Sequence, residues 1–390
     1  MKKRSVVRVF VGIALISVAF TGCTKTKSKV CDLSAGSDTN VIRVGEVGSM
    51  TGSEATFGVS THEGIQLALC QANAAGGVKG KKFVLYSLDD QSKQDEAAAA
   101  MTKLITQSKV DAILGEVASG ISKVMAPIAQ ANKVPMITPS STNPDVTKIG
   151  DYIFRVCFID PFQGYVMAKF AKENLKAKKV AILQDHGSDY SVGLAKFFIE
   201  TFTKDGGEIV LNQSYNKNDV DFKSQLTAIR AKAPDAIYIP GYYTHVGLIA
   251  RQARELGVTI PLMGGDGWDS PELKSIGGAA LNNSYFSNHY SAEDKSPAVQ
   301  TFLKEYKETF GKTPDGLAAM GYDAARVLAD AMNRAKSLSN TDVRDAIAAT
   351  VKFEGVTGKI TIDKERNAVK PAVVLRVDNG EFKYQSTIHP

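Results

Sequence analysis

In an open α/β sheet, ligands bind beyond the carboxyl ends of the strands, so the residues just after each strand-like run carry the chemistry. After 110–115, which ends in Gly115, comes EVASG, with Ser119 at a natural helix N-cap. After 134–138 comes PSSTNPD, where Ser140, Ser141 and Thr142 precede Pro144, a residue favoured in a first helical turn. Hydroxyls and orphan N–H groups at helix starts suit a carboxylate, because the helix dipole also favours an anion there. Plain helix capping explains the same residues, and spacing does not separate the two readings. Three later strand ends carry the complement: Tyr190 in HGSDY, Tyr242 and Tyr243 in GYYTH, and Asp266, Trp268 and Asp269 in GGDGWDSP. An acid among aromatic faces suits an ammonium group, through an ion pair and cation–π contact. On spacing alone, an Asx turn among glycines explains Asp266 better.

Catalytic constellations are missing from the sequence. No GxSxG elbow, Walker loop or HExxH occurs. In MGGDGWDS, Gly265 and Gly267 fit a dinucleotide fingerprint, but Ser270 stands where its third glycine belongs. The histidines at 62, 186, 245, 289 and 389 are scattered, and His186, after a strand end, reads as a solvated loop residue. No catalytic residue, cofactor or metal site is expected.

The elements that must position these groups alternate strand and helix. A first series has strands at 41–48, 83–90, 110–115 and 134–138 and helices at 58–75, 94–107 and 119–131. A second has helices at 162–175, 189–205, 221–232 and 245–256 and strands at 179–185, 208–215, 235–240 and 261–265. Such βαβ series build parallel sheets covered on both faces, here two doubly wound units in tandem. The C-terminal part reads as a strand at 284–290, helices at 297–310, 315–337 and 341–350, a hairpin at 353–363 and a last strand at 371–378. It is too short for a third sheet of useful size, so it should complete the first two.

The N-terminus places the chain outside the cytoplasm. Lys2, Lys3, Arg4 and Arg8 precede an apolar run, Val9 to Phe20, then Thr21-Gly22-Cys23. The run is well short of the roughly 20 residues of a permanent span, and the layout is that of a cleaved secretory signal. It resembles a bacterial lipoprotein signal, with Cys23 acylated as first mature residue, although Phe20 stands where Leu is preferred. Residues 24–40 are polar and poor in bulky apolar groups, which predicts a flexible tether. The net charge of +6 includes four basic residues within 1–22, leaving the mature chain near +2 and no basic stripe for nucleic acid. Beyond Cys23 stand Cys31, Cys70 and Cys157, an odd number, with no CxxC pair. Cys70 and Cys157 read as buried small apolar residues rather than disulfide partners.

At the strand-end residues the chain resembles the type I periplasmic binding proteins, specifically the Leu/Ile/Val-binding family of ABC importers. The likeness spans about residues 41–380 and is carried by VIRVGEVGSMTGSEATFG (41–58), ANAAGGVKGKK (72–82), DDQSKQDEA (89–97), GEVASG (115–120), PMITPSSTNPDVT (135–147), DYSVGLA (189–195), GYY with ARQARELG (241–257) and MGGDGWDSP (263–271). The resemblance implies two doubly wound lobes joined by three hinge crossings near 158–160, 285–287 and 370. Lobe 1 would hold 41–158 and 287–370, and lobe 2 159–286 and 371–390, after a signal (1–22) and a tether (23–40). It implies that Ser119, Ser140 and Thr142 hold a ligand carboxylate and Asp266 its ammonium. Phe57, Tyr190 and Tyr242 would be pocket aromatics, with Trp268 walling the site. Asp266 is one methylene shorter than the Glu of some branched-chain binders. The family disulfide has no counterpart, since Ser92 and Ala118 stand near its places. The implied role is an exported, lipid-anchored, non-enzymatic binding subunit that hands an amino acid to an ABC permease and ATPase. The alternative on the same fold is a sensor for amino acids, amides or small carboxylates that feeds a receptor.

Overall fold

The computed structural model describes residues 31–390 apart from Ala35 and Ser37. The signal region and Cys23 lie outside the described residues. The first series forms β1 (Val41–Gly48), α1 (Ala55–Ala74), β2 (Lys82–Asp89), α2 (Gln94–Lys103), β3 (Ala112–Leu114), α3 (Ser119–Ala131), β4 (Met136–Thr138), α4 (Asp145–Lys148) and β5 (Ile153–Arg155). β1 is buried along nearly its whole length because parallel neighbours flank it and helices cover both faces. The sheet order is β2-β1-β3-β4-β5. Strand order reverses about β1, which opens a crevice beyond its carboxyl end.

The second series forms α5 (Asp160–Glu173), β6 (Lys179–Asp185), α6 (Asp189–Lys204), β7 (Glu208–Tyr215), α7 (Lys223–Ala231), β8 (Ala236–Tyr238), α8 (Tyr243–Glu255), β9 (Leu262–Gly264), α9 (Pro271–Gly277) and β10 (Ser284–Asn288). After it come α10 (Pro297–Phe310), α11 (Gly316–Arg334), α12 (Asn340–Ala348), β11 (Phe353–Gly355), β12 (Gly358–Ile362), β13 (Ala368–Val369), β14 (Ala372–Asp378) and β15 (Glu381–Ile388). The second sheet runs β15-β14-β10-β9-β8-β6-β7. Its parallel part repeats the first sheet's order, with β6 in the place of β1, so each lobe has its own crevice.

The chain crosses between lobes after β5, after β10 and between β13 and β14. β10 stays in the second sheet through Asn288, paired antiparallel with Val373 of β14, so the second crossing starts at His289 rather than at 285–287. The tail completes the second sheet with β14 and β15. The 353–363 hairpin does not extend the first: with β13 it makes a separate three-stranded sheet.

Lobe 1 is tied together by α1 and α11, whose backbones touch. A Cβ on Gly64 would lie 2.0 Å from the Ala318 carbonyl oxygen, and one on Gly321 would lie 2.4 Å from that of Thr61. Glycine at both positions lets the helices approach this closely. Phe57, Val117 and Leu317 of lobe 1 are buried in the apolar core of lobe 2, so the lobes are closed on each other.

Two expectations about the start of the chain change. Cys70 is bonded to Cys31, 39 residues away, while Cys157 is a free buried thiol. The segment after Cys31 is not all tether. Leu33 is buried in the lobe 1 core, and its carbonyl accepts the Leu85 N–H at 2.9 Å.

Candidate functional site

The two crevices face each other and enclose a cavity of about 10 Å³, lined by Phe57, Val117, Ser140 and Leu317 of lobe 1 and Tyr190, Tyr242, Asp266 and Gly267 of lobe 2. Each lobe delivers its groups from strand ends. Phe57 follows β1 and Ser140 follows β4, whereas Tyr190, Tyr242 and Asp266 follow β6, β8 and β9. Thus Phe57, Ser140, Tyr190, Tyr242 and Asp266, separated by more than 200 residues of chain, meet in one place.

Asp266 is 4% exposed and is the polar centre. Its Oδ1 accepts the Tyr190 hydroxyl at 2.8 Å and Gln163 Nε2 at 3.0 Å. Its Oδ2 accepts His289 Nε2 at 3.0 Å and, across the lobes, the Ser140 hydroxyl at 3.2 Å. Gln163 also fixes the backbone, accepting Asp266 N–H at 3.1 Å, and Tyr190 Oη accepts Gly267 N–H at 3.1 Å. Burial pushes the His289 imidazole below its ordinary pKa, against the pull of Asp266, so the ring is neutral near pH 7. Burial, with the Asp266 charge beside it, holds the Tyr190 phenol protonated and able to donate. The donors around Asp266 are therefore all neutral, and the carboxylate faces the cavity without a cationic partner among the described residues. A buried carboxylate in that position favours a cation.

The apolar part is built from rings. Tyr242 stacks on Tyr190, with centroids 5.0 Å apart and planes within 5°, and meets Phe57 edge-on at 5.6 Å. Trp268 does not line this cavity. It is fully buried beneath it, with its Nε1 donating to the Ile239 carbonyl at 2.9 Å. Gly264 leaves room for the indole, since a Cβ there would sit 2.1 Å from the ring.

On the lobe 1 side, Ser119 is the first residue of α3 and Ala118 is its N-cap, so the expected capping by Ser119 does not occur. The Ser119 hydroxyl oxygen accepts Asn143 N–H at 3.2 Å instead. Thr142 Oγ1 is buried with no hydrogen-bond partner among the described residues. The helix after it, α4, is a single turn that starts three residues later, so it adds little dipole. Arg155, fully buried, holds the loop by donating to the carbonyls of Ser141 and Asn143. Ser141 is structural: its hydroxyl bonds within lobe 1 to Val117 O at 2.8 Å and Ser122 Oγ at 2.7 Å.

Polar clasps surround the cavity. Thr56 Oγ1 meets Ser270 Oγ at 2.8 Å, Asn143 Nδ2 donates to the Asp189 carbonyl at 2.9 Å, and Lys123 pairs with Asp189 at 3.0 Å. Lys217 reaches from lobe 2 to the Ser92 carbonyl at 3.1 Å and the buried Glu54 carboxylate at 3.5 Å. No group of three His, Cys, Asp or Glu residues among the described residues is placed to hold a metal ion.

Two of the groups around Asp266 escaped the sequence reading. Gln163 stands in the first turn of α5, one turn past the hinge, where no strand-end rule points. His289 was legible in principle: it is the first residue past β10, and placing it inside a strand at 284–290 hid it.

Solved structures share this architecture. A leucine binding protein LivK from Thermotoga maritima is 45% identical, with a TM-score of 0.87 over 90% of this chain and 99% of that one. The branched-chain amino acid transporter substrate binding protein LivJ from Streptococcus pneumoniae, solved with isoleucine, is 37% identical, with a TM-score of 0.85 over 90% and 100%. A solute binding protein of an ABC transporter from Rhodopseudomonas palustris, solved with 3,4-dihydroxybenzoic acid, is 27% identical, with a TM-score of 0.81 over 90% and 98%. Residues 41–381 match the periplasmic binding protein family, and the chain belongs to that family.

Proposed function

We propose that this protein is the exported binding subunit of an ABC importer, anchored by lipid at Cys23, and that it closes its lobes around an α-amino acid with an apolar side chain. The observation that carries the reading is the buried Asp266 carboxylate, surrounded by neutral donors and facing Ser140 across the lobes at 3.2 Å. The likeness to a leucine binding protein and an isoleucine complex supports the ligand class. In this reading the ligand carboxylate docks on lobe 1 at Ser119, Ser140 and Thr142. Lobe 2 then brings Asp266 to the ammonium, while Phe57, Tyr190, Tyr242, Val117 and Leu317 enclose the side chain. A cavity of about 10 Å³ has no room for an amino acid, so the lobes separate to admit it and the Ser140–Asp266 contact gives way. Ligand then shifts the population toward closure.

A benzoate-type ligand offers no cation to Asp266, and burying it beside that charge would be costly. Calorimetry with leucine, isoleucine, valine and 3,4-dihydroxybenzoate tests the reading. Binding of the amino acids alone, lost in Asp266→Ala, is the expected result. Unchanged amino-acid affinity in Asp266→Ala would sink the ammonium assignment. For the anchor, Cys23→Ser should release the protein from the membrane fraction.

A further inference from the structure

We infer that His289, the first residue of the second hinge crossing, is a positioning residue that makes the site selective for an amine: it aims the Asp266 carboxylate without neutralising it. This rests on the proposed ammonium contact of Asp266. Geometry supplies the first argument. His289 Nε2 lies 3.0 Å from Asp266 Oδ2, and because a carboxylate only accepts, the hydrogen sits on Nε2. The side chain is 0% exposed, and the ring stacks on Phe158 of the first crossing with centroids 3.8 Å apart and planes 28° from parallel. Two of the three crossings therefore hold the donor in place, and Asp266 inherits its direction from the hinge rather than from the mobile cleft surface.

Charge supplies the second argument. The groups bearing on the ring are Asp266, which favours protonation, and burial and Lys370, which oppose it. His289 Nδ1 is buried with no partner among the described residues, so a second proton would find no acceptor. A charged imidazolium would pair with Asp266 and leave nothing for a ligand ammonium; the neutral ring donates one hydrogen bond and leaves the charge in place. Ser140 leaves Asp266 when the lobes open, whereas His289, Gln163 and Tyr190 remain, so the carboxylate is aimed before ligand arrives.

The test uses the full-length protein, with His289→Leu, which keeps the bulk and removes the donor, and His289→Gln, whose amide nitrogen can reach the Nε2 position. Competition calorimetry with leucine, 3-methylbutylamine and 4-methylpentanoate separates the two ends of the ligand. Expected in His289→Leu is roughly tenfold or more weaker binding of leucine and the amine, as loss of a hydrogen bond to a charged group implies, with 4-methylpentanoate unaffected and His289→Gln largely restored. Equal weakening of all three probes would mean a structural role and overturn the inference, as would no weakening at all. Thermal unfolding of both variants identifies a folding defect; if His289→Leu has one, His289→Phe, which keeps a ring against Phe158 and lacks the donor, takes its place, and amine-specific weakening in it supports the inference while its absence overturns it. Asp266→Asn runs alongside. If it spares leucine binding, the ammonium reading fails and takes this inference with it; if it weakens leucine while His289→Leu does not, only the role of His289 fails.

Discussion

Asp269 of lobe 2 accepts, at 2.6 Å, the backbone N–H of Gly316, the first residue of α11 in lobe 1. The same oxygen accepts Asn288 Nδ2 from the edge of the hinge at 2.7 Å. This contact joins the two lobes, and it lies three residues from Asp266. Removing it should therefore penalise closure; Asp269→Ala also takes the Asn288 bond from lobe 2, whereas Gly316→Ala strikes the contact from the lobe 1 side. Asp269→Ala is expected to cost the closed state about 1.5–3 kcal/mol, the usual worth of a hydrogen bond to a charged group, and to weaken ligand binding by roughly ten- to a hundredfold. Gly316→Ala should act likewise, since its Cβ would meet Asp269 Oδ2 at 2.6 Å. Ligand titrations with small-angle scattering read both effects, and unchanged affinity in both variants would rule out a latch.

Gly64→Ala sets a small gain in helix propensity, about 1 kcal/mol, against an approach of 2.0 Å to the Ala318 carbonyl. The clash is with backbone, so α1 and α11 must separate. Overpacking of this kind costs about 1–3 kcal/mol or more. A clear drop in the thermal midpoint is expected, whereas a rise would show that the helices part easily.

Asp160, at the start of α5, is fully buried, and burial pushes its carboxyl up to about 8. Thr142, the Arg155 charge and Gln163 pull it back only in part, and neither carboxyl oxygen has a partner at ordinary hydrogen-bond geometry among the described residues. The folded state therefore keeps a proton that the unfolded chain releases near pH 4. Its contribution to stability falls as pH rises from about 4 to 8 and is level above that, with a slope of at most about 1.4 kcal/mol per pH unit. Asp160→Asn should flatten the stability profile over that window and gain most at pH 8. Urea unfolding at pH 5, 6.5 and 8 checks this, and an equal slope in both proteins would refute it.

The Cys31–Cys70 bond closes a loop of 39 residues, for which a cross-link contributes about 2–4 kcal/mol. Cys70→Ser, or reduction, should lower the thermal midpoint and expose the segment around Leu33 to protease. Cys70 lies near the end of α1 opposite Phe57 and is not among the residues that line the cavity, so ligand affinity should hold.

What the sequence displayed and what it hid differ in physical kind. The placing of Ser140, Tyr190, Tyr242 and Asp266 at strand ends was legible because the alternation marking those strands is local; on spacing alone Asp266 read better as an Asx turn, and only the family resemblance gave it a role. Trp268, two residues past Asp266, was not: which way a side chain turns after a strand depends on the space that Gly264 leaves behind it. Ser119 missed its cap by one residue, within the ordinary fraying of a helix start. Gln163 reaches Asp266 through tertiary contact alone. The Cys31–Cys70 pairing and the edge strand β15, with its exposed and weakly patterned face, rest on contacts with segments distant in sequence.

The disulfide also sets a leash length. With the proposed lipid on Cys23 and the chain fastened to α1 at Cys31, eight residues link bilayer to body. Fully extended, they reach about 28 Å, at roughly 3.5 Å per residue. Without the fastening, only the noncovalent seat of Leu33 would hold the chain to the body before β1. If the proposed lipid is in place, the short leash would keep its attachment point on α1 within about 28 Å of the bilayer and would restrict the search for a membrane partner to a thin layer instead of a compartment.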